Sequence, residues 1–162
     1  MGTKTLQNRY NRSDMNKKIL NKYATYEYEI LEKFEAGIVL AGDEIKAVRA
    51  GRVNLKGSYG KIFYSKKAQP EVFLVGAHFH STTLDPYRTR KLLLHQDEIK
   101  RLIGKTQEKN LTIVPLSIYF KHGKAKIEIS LARGKKLHDK REAIKRRDLE
   151  REARQELKNS KK

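Results

Sequence analysis

Apolar side chains are concentrated in the middle of the chain, at residues 23–133, and many of them recur at every second position. Tyr26, Tyr28 and Ile30 alternate with polar residues, and Ile38 and Leu40 follow after a glycine. A period of two is typical of strands that bury one face. The central zone is therefore predicted to be mainly β.

Two β-hairpins are predicted within this zone. The segments VNLKGSYGKIFY and EVFLVGAHF flank SKKAQP, whose charge and proline indicate a solvent-exposed turn. The segments LTIVPLSIYF and AKIEISLA flank KHGK, which places Gly123 at the second turn. Pro115 lies inside the first strand of this hairpin, and because proline cannot donate a ladder hydrogen bond, it predicts an edge position or a bulge.

Two short helices interrupt the strands. In GDEIKAVRAG, Asp43 is expected to cap the helix and Gly51 to end it. In HQDEIKRLIGK, Ile99 and Leu102 lie on one apolar face, and Gly104 is expected to end the helix. Short antiparallel strands with few helices predict a small closed antiparallel β-barrel of the oligonucleotide-binding type, with two or three short helices and a basic C-terminal tail. A β-sandwich is the alternative.

Polar segments extend beyond the predicted barrel on both sides. Residues 1–22 are rich in asparagine and basic side chains, and they are expected to form a flexible arm. Residues 134–162 contain few apolar side chains but are dominated by good helix formers. Glu142 with Arg146 and Glu150 with Arg154 are possible ion pairs at spacing four. Because such pairs stabilise a helix by only a few tenths of a kcal/mol, the tail is predicted to be disordered alone and helical when an anionic partner binds it.

The charge of the chain indicates a polyanionic partner. Lys and Arg number 37 against 19 Asp and Glu, a formal net charge of +18. The tail holds 12 of the basic and 6 of the acidic residues, so it carries +6 and the rest of the chain carries +12. The body and the tail are therefore expected to be two separate basic binding surfaces, most simply for nucleic acid.

Other classes of protein and compartment receive less support. The chain has no apolar run near the ~20 residues of a membrane-spanning helix, and its beginning lacks the apolar stretch of a signal peptide, although a basic transit peptide stays possible. The absence of cysteine excludes disulfides and thiolate metal sites and fits a reducing cytoplasm. No cofactor and no membrane partner are expected.

Enzymatic motifs are weak in this sequence. His78 and His80 share one face of a predicted strand, but two ligands do not make a metal site. The pattern favours a structural pair of histidines over a metal centre. Glycines are dispersed over turn positions rather than gathered in a phosphate-binding loop. The chain is therefore predicted not to be an enzyme.

Basic residues with aromatic neighbours form the stronger signal. The segment DPYRTRKLLLH presents Arg88, Arg90 and Lys91, which could bind phosphates, beside Tyr87, which could stack on a base. The alternative is a solvated turn. Glu35 is an acid in a basic protein; its carboxylate could accept a hydrogen bond from a base amine or pair with a nearby lysine. The residue pattern alone favours the local pair.

These segments together resemble one family. The chain is similar to the SsrA-binding proteins (small protein B, SmpB), the RNA-binding partners of bacterial transfer-messenger RNA. The matching stretches are NKYATYEYEILEKFEAGIVLAGDEIKAVRAGRVNL, DPYRTRKLLLHQDEI and VPLSIYFKHGKAKIEISLARGKKLHDKREAIKRRD, in family order over most of the chain. The resemblance implies an oligonucleotide-binding-type barrel that binds the tRNA-like domain of that RNA, promotes its charging with alanine and delivers it to stalled ribosomes for trans-translation.

The resemblance also implies partners and site residues. RNA contact is implied for Glu35, Leu93 and Lys126, with Asn21 and Tyr26 nearby; Tyr26 replaces a histidine that is common in the family. Elongation factor Tu and alanyl-tRNA synthetase are implied as indirect partners through the RNA. The tail is implied to enter the vacant mRNA channel beside 16S ribosomal RNA and to fold there as a helix. Its implied decoding-centre residues are Gly134, Lys135, Lys136, His138, Asp139, Lys140 and Arg141, and Ile144 lies in the same expected helix.

Two rival functions stay open at this point. A structural ribosomal protein with a basic extension would have a similar composition, but it would accompany every ribosome in stoichiometric amount. An RNA-modifying enzyme or nuclease would turn RNA over when supplied with a divalent metal.

Overall fold

The computed structural model describes residues 17–108 and 110–160, and these residues form nine strands and four helices. In chain order the elements are β1 (Ile19–Leu20), α1 (Ala24–Glu27), β2 (Tyr28–Ile38), α2 (Gly42–Arg49), β3 (Val53–Asn54), β4 (Tyr59–Phe63), β5 (Glu71–Val75), β6 (His78–Phe79), β7 (Arg90–Leu93), α3 (Gln96–Gln107), β8 (Leu111–Lys121), β9 (Lys124–Gly134) and α4 (Leu137–Asn159). The predicted mainly β class is confirmed.

Six antiparallel strands close into a ring. They follow the order β8-β4-β5-β7-β2-β9, and β9 pairs back with β8. Both predicted hairpins, β4–β5 and β8–β9, are present. The closed antiparallel arrangement agrees with the predicted barrel rather than with the β-sandwich. Outside the ring, β1 extends β8, and β3 pairs with β6.

Bulges bend the longest strands. The β8–β9 register shifts between Pro115 and Ser117, and the β2–β9 register shifts between Ile30 and Glu32. A bulge increases the local bend and twist of a strand, which helps an 11-residue strand to curve around the ring. The bulge predicted from Pro115 is therefore confirmed.

The core lies inside the ring. Alternate residues of each strand point inward, as Val72 and Leu74 do on β5 and Ile127 and Ile129 do on β9, and all four are fully buried. Val48 of α2 and Leu102 of α3 join the same cluster. The apolar faces of the two helices therefore pack against the core of the ring.

A short helix replaces part of a predicted strand. Tyr26 lies in α1 and not in an extended segment, so the strand expected from its alternation with Tyr28 begins only at Tyr28. Ala24 packs against Val114 and Ala132, which point away from the main core. The apolar outer side of β8 and β9 needs a cover, and this tertiary contact overrides the local alternation.

The ends of α2 and α3 also differ from those predicted from the sequence. The residue before α2 is Ala41, and Asp43 does not cap the helix but accepts hydrogen bonds from Ser81 and Thr83. Gly51 follows the helix with a φ of +71°, as expected for a glycine that ends it. α3 continues through Gly104 to Gln107, where the Thr106 hydroxyl donates to the backbone oxygen of Leu102; an internal glycine costs only ~1 kcal/mol.

The tail emerges from the ring as one long helix. α4 buries none of its side chains, and Leu137, Leu149 and Leu157 are all more than half exposed. The expected Glu142–Arg146 and Glu150–Arg154 pairs do not form among the described residues, where Glu142 lies 3.4 Å from His138 instead. Exposed pairs of this kind are weak, so neither choice of partner is strongly preferred. Disorder of the tail in isolation stays a prediction.

Most of the N-terminal arm, at residues 1–16, lies outside the described residues. The end of that predicted arm is part of the fold, since Ile19 pairs with Ile118 of β8. None of the described helices is long and apolar enough to cross a membrane. Across residues 17–108 and 110–160, no three His, Asp or Glu side chains are grouped as metal ligands.

Gly60→Ala is predicted to destabilise the fold by about 1–3 kcal/mol, because a methyl group there would overpack the ring. Gly60 is the residue of β4 that pairs with β8, and a Cβ would lie 2.4 Å from Cγ2 of Ile113. The matched control is Gly104→Ala in α3, where a Cβ meets nothing within 4 Å. The control is expected to stabilise by roughly 0.5–1 kcal/mol. Urea unfolding measures both changes, and equal stabilities would contradict the overpacking argument.

Candidate nucleic-acid interface

An open groove of about 730 Å³ lies at one end of the ring. Its walls come from the end of β2, from α2, from the segment joining β7 to α3 and from the β8–β9 hairpin. Its lining residues are Glu35, Gly37, Ile38, Leu40, Ile45, Arg49, Leu93, Leu94, His95, Glu98, Phe120, Gly123, Lys124, Ala125 and Lys126. Three residues with implied RNA contact, Glu35, Leu93 and Lys126, therefore share one surface.

Strand register brings these three side chains together. Gly37 of β2 pairs with Leu93 on one side and with Lys126 on the other. Glu35 lies two residues earlier on the same strand and so points to the same face of the sheet. Residues far apart in the chain thus become neighbours across three adjacent strands.

The glycine at the centre of this surface leaves space for its neighbours. A Cβ on Gly37 would lie 3.2 Å from Cβ of Leu93, which is a tight contact. Because residue 37 has no side chain, nothing projects from the surface between Leu93 and Lys126. Leu93 itself is 53% exposed, so its apolar side chain is offered to a ligand.

Glu35 is held in place by two neighbours. The Tyr119 hydroxyl donates a hydrogen bond to its carboxylate, and Lys121 Nζ lies 3.1 Å from Oε1. The hydrogen bond from Tyr119, followed by the one from Lys121, lowers the pKa of Glu35, so the carboxylate is ionised at neutral pH. The local pair expected from the sequence is present, and the Glu35 side chain is still 39% exposed.

Cations and one aromatic ring complete the groove. The guanidinium carbon of Arg49 lies 5.5 Å from the ring centroid of Phe120. Lys124 and Lys126 follow on the hairpin. Cations beside an apolar surface can bind phosphates while bases or sugars lie against the apolar side chains. The arrangement suits a nucleic acid better than it suits a small metabolite.

A buried ion network stands behind one wall of the groove. Glu44 of α2 is fully buried; Arg90 Nε donates to its Oε1 at 2.8 Å and Arg88 Nη2 to its Oε2 at 2.6 Å. Arg90 is also fully buried, donates to backbone oxygens of Ala77 and Pro86, and stacks on Phe79 at 3.9 Å. Glu44 also accepts from the backbone N–H of Ala41, so it caps α2 as expected for an acid at a helix start.

The basic residues of the cluster at 88–91 therefore differ in how accessible they are to a ligand. Arg90 cannot touch RNA, because its guanidinium is enclosed by protein; this corrects the expected phosphate contact. Arg88 is 37% exposed but is engaged by Glu44, and Lys91 is paired with Glu71. Tyr87 remains 61% exposed and contacts His78 edge to face. Within residues 85–95, the groove is lined by Leu93, Leu94 and His95.

Asn21 and Tyr26 lie outside this groove. Asn21 is buried, and its Nδ2 donates to the backbone oxygens of Leu55 and Pro115, so the side chain fastens β1 to the ring. It lines a second groove beside α4. Tyr26 is half-buried in α1. RNA contact by these two residues stays a prediction, at a place outside the groove that Glu35 lines.

The implied tail residues occupy the junction of β9 and α4. Gly134 is the last residue of β9 and pairs with Tyr28, while the backbone N–H of Lys135 donates to Glu27 O at 2.9 Å. Lys136 precedes the first turn of α4. The first two turns of that helix carry the remaining implied residues, His138, Asp139, Lys140, Arg141 and Ile144.

Sequence reasoning missed several groove residues. No sequence pattern indicated a binding role for Arg49, Phe120 or Lys124, because each lies in a segment that is typical of an ordinary helix or hairpin. The alternation of Lys124 with Lys126 next to a predicted turn is the one local pattern that could have indicated a basic hairpin tip.

Comparison with known proteins identifies close relatives. A family model described as SmpB protein matches residues 18–159. An SsrA-binding protein of Syntrophobacter fumaroxidans is 54% identical over 138 residues, covering 82% of this chain and 83% of its own. Another, from Acaryochloris marina, is 49% identical over 145 residues, covering 85% of this chain and 91% of its own. A solved structure described as "tmRNA-SmpB: a journey to the center of the bacterial ribosome" matches with a TM-score of 0.60 and 43% identity, covering 78% of this chain and 94% of that one.

Glu44→Gln is predicted to destabilise the fold by about 3 kcal/mol, because it leaves two arginines without their buried counter-charge. Glu71→Gln, which breaks the exposed pair with Lys91, is the control and is expected to cost under ~1 kcal/mol. Urea unfolding at neutral pH measures both.

The same network predicts a dependence on pH. Burial acts to raise the pKa of Glu44, but hydrogen bonds from Arg88 and the Ala41 backbone and the charge of Arg90 outweigh it, so the pKa is lowered from 4.5. The stabilisation is therefore complete well above pH 4.5 and is lost as the pH falls through the lowered folded pKa. Glu44→Gln should lose less stability than the wild type over this acid range. Parallel pH profiles for the two proteins would contradict the assignment.

Proposed function

The chain belongs to the SmpB protein family, and from that premise we propose that it binds the tRNA-like domain of transfer-messenger RNA and delivers this RNA to stalled ribosomes. In this role it promotes charging of the RNA with alanine and works with alanyl-tRNA synthetase and elongation factor Tu through the RNA. The protein acts as an RNA-binding factor in the cytoplasm and contributes no catalytic group of its own.

One observation carries the RNA-binding part of the proposal. Glu35, Leu93 and Lys126 come from three strands and meet in one exposed groove. A carboxylate can accept a hydrogen bond from an exocyclic base amine, a leucine can pack on a base or sugar, and a lysine can bind a phosphate. The three groups thus supply both the directional and the charge contacts that recognition of a folded RNA requires.

The second part concerns the tail, which we propose enters the empty mRNA channel. α4 begins directly after β9, and all of its side chains lie outside the core. Its 23 residues span about 35 Å at ~1.5 Å per residue. The junction residues Gly134, Lys135 and Lys136 then lie at the decoding centre, and His138, Asp139, Lys140 and Arg141 follow in the channel.

Identifying the bound RNA tests the proposal directly. The protein is purified from its own cells under native conditions, and the RNA that accompanies it is sequenced. Strong enrichment of one tRNA-like RNA is the expected result. Stoichiometric recovery with all ribosomes would support a structural ribosomal protein instead, and a broad mixture of RNAs would indicate nonspecific charge attraction.

Glu35→Ala is predicted to weaken binding to the tRNA-like RNA by roughly five- to hundredfold, because ~1–3 kcal/mol is typical for a lost recognition hydrogen bond. Nonspecific electrostatics predicts the opposite sign, since the variant is more basic. Glu32→Ala is the matched control; Glu32 lies on the same strand, pairs with Arg101 and does not line the groove. Filter binding at fixed salt measures both affinities, and equal or tighter binding by Glu35→Ala would exclude directed recognition by this residue.

Ile144→Pro is predicted to abolish peptide transfer to the alanyl RNA while RNA affinity and recruitment stay normal. Proline inside a helix costs ~3 kcal/mol or more, but the substitution leaves the charge of the tail unchanged. Ile144→Ala is the control, because it keeps the helix and removes the same side chain. Transfer is measured on ribosomes stalled on a truncated message. Full transfer by the proline variant would leave only an electrostatic role for the tail.

A further inference from the structure

Aromatic side chains are grouped on the outer face of the β4–β5 hairpin. Tyr59 and Phe63 alternate with inward-facing residues on β4, and Phe73 does so on β5; we call these three residues the aromatic patch. Tyr59 is 42% exposed, Phe63 is 44% exposed and Phe73 is half-buried. A single exposed aromatic side chain is ordinary, but several on one face of a sheet are typical of a binding surface.

Neighbouring side chains hold Phe63 in place. Its ring centroid lies 5.1 Å from that of Phe73, and the two ring planes meet at 87°, which is a favourable edge-to-face contact. Lys61 Nζ lies 5.1 Å from the same Phe63 centroid. A side chain that is already ordered loses little conformational entropy when a ligand binds. Phe63 is therefore both exposed and pre-arranged for contact.

Strand register makes the aromatic patch continuous with the groove that carries the proposed RNA contacts. Phe63 pairs with Glu71 of β5. The register of β5 with β7 sets Glu71 opposite Leu93, which in turn pairs with Gly37 of β2. Residues paired in this way point to the same face of the sheet, and adjacent strands lie about 4.8 Å apart. Phe63 is thus two strands, roughly 10 Å, from Leu93 on one continuous surface.

The surroundings of the patch are positively charged. The β4–β5 hairpin carries Lys61, Lys66 and Lys67 against a single acid, Glu71, and that acid is paired with Lys91. In the described part of the chain, no ion pair joins any of the three hairpin lysines to a carboxylate. Aromatic rings next to lysines are the usual means by which proteins bind single-stranded nucleic acid, because the rings stack on bases and the lysines attract phosphates. The charge therefore favours an RNA over an acidic or neutral protein surface.

We propose that Phe63 stacks on an unpaired base of the RNA whose neighbouring nucleotides occupy the groove at Glu35 and Leu93. The inference rests on the proposed binding of the tRNA-like RNA, and it adds a contact on strands that the groove does not include. A base inside a continuous duplex has both faces covered, so the ligand of Phe63 is a looped-out or terminal nucleotide. Lys61, Lys66 and Lys67 lie beside the phosphates that flank this nucleotide.

Two substitutions of similar size separate stacking from general apolar contact. Phe63→Leu keeps an apolar side chain but removes the ring, whereas Phe63→Tyr keeps the ring. Because base–aromatic stacking contributes substantially to affinity, binding of the tRNA-like RNA is expected to weaken at least about fivefold for Phe63→Leu and less than about twofold for Phe63→Tyr. Filter binding at fixed salt measures both. Wild-type affinity in Phe63→Leu, or equal losses in the two variants, would overturn the proposal.

Phe63→Trp gives a direct signature of stacking. The chain contains no tryptophan, so the fluorescence of this variant reports on position 63 alone. Saturating tRNA-like RNA is expected to quench the emission, because a base stacked on an indole ring quenches it, and a fully paired RNA duplex of equal length is expected to leave the emission nearly unchanged. Unquenched emission with the tRNA-like RNA, or equal quenching by the duplex, contradicts stacking on an unpaired base.

Glu35→Ala distinguishes failure of this inference from failure of the proposed function. If Glu35→Ala weakens RNA binding but Phe63→Leu does not, the groove binds the RNA without the aromatic patch, and only the stacking contact is wrong. If neither variant weakens binding, the proposed recognition of the RNA by this surface is itself wrong.

Discussion

The buried carboxylate of Glu44 is the interaction on which the candidate interface depends. It joins α2, which forms one wall of the groove, to β7, whose end carries Leu93 into the groove. Arg90 could not be buried without it, because an unpaired guanidinium inside a protein loses several kcal/mol of solvation. Arg88 shields the other carboxylate oxygen from the solvent side. The groove is thus shaped by a charge network whose own residues do not line it.

A second constraint is the limited space for side chains at the point where the ring closes. β4 approaches β8 at Gly60, where Ile113 occupies the space that a Cβ would need. Gly37 has a related role on the surface, because its missing side chain leaves the space between Leu93 and Lys126 open. One glycine serves the core and the other serves the interface.

The two basic regions differ in how their charges are used. On the body, many lysines and arginines are matched by carboxylates, including Glu35, Glu44 and Glu128. Such pairs hold the side chains in place and offset much of their positive charge. This favours directional contacts with a ligand over general charge attraction. Among the described residues, no ion pair joins Arg147, Arg151 or Arg154 of α4 to a carboxylate, which favours attraction to an extended polyanion. The division suits the proposed functions, in which the body recognises one RNA and the tail enters a channel.

The sequence by itself determined the local features: the period of two in the strands, both hairpins, an edge position or a bulge at Pro115 and a helix-forming tail without an apolar face. Each depends on neighbouring residues, so local physics suffices. The tertiary structure alone decided that α1 covers Val114 and Ala132, that Arg90 lies inside the protein, and that Leu93 and Lys126 flank Gly37. These outcomes depend on pairing between distant strands and on burial shared by several elements. No local pattern encodes such pairing, because the free energy of each contact exists only once the ring has closed.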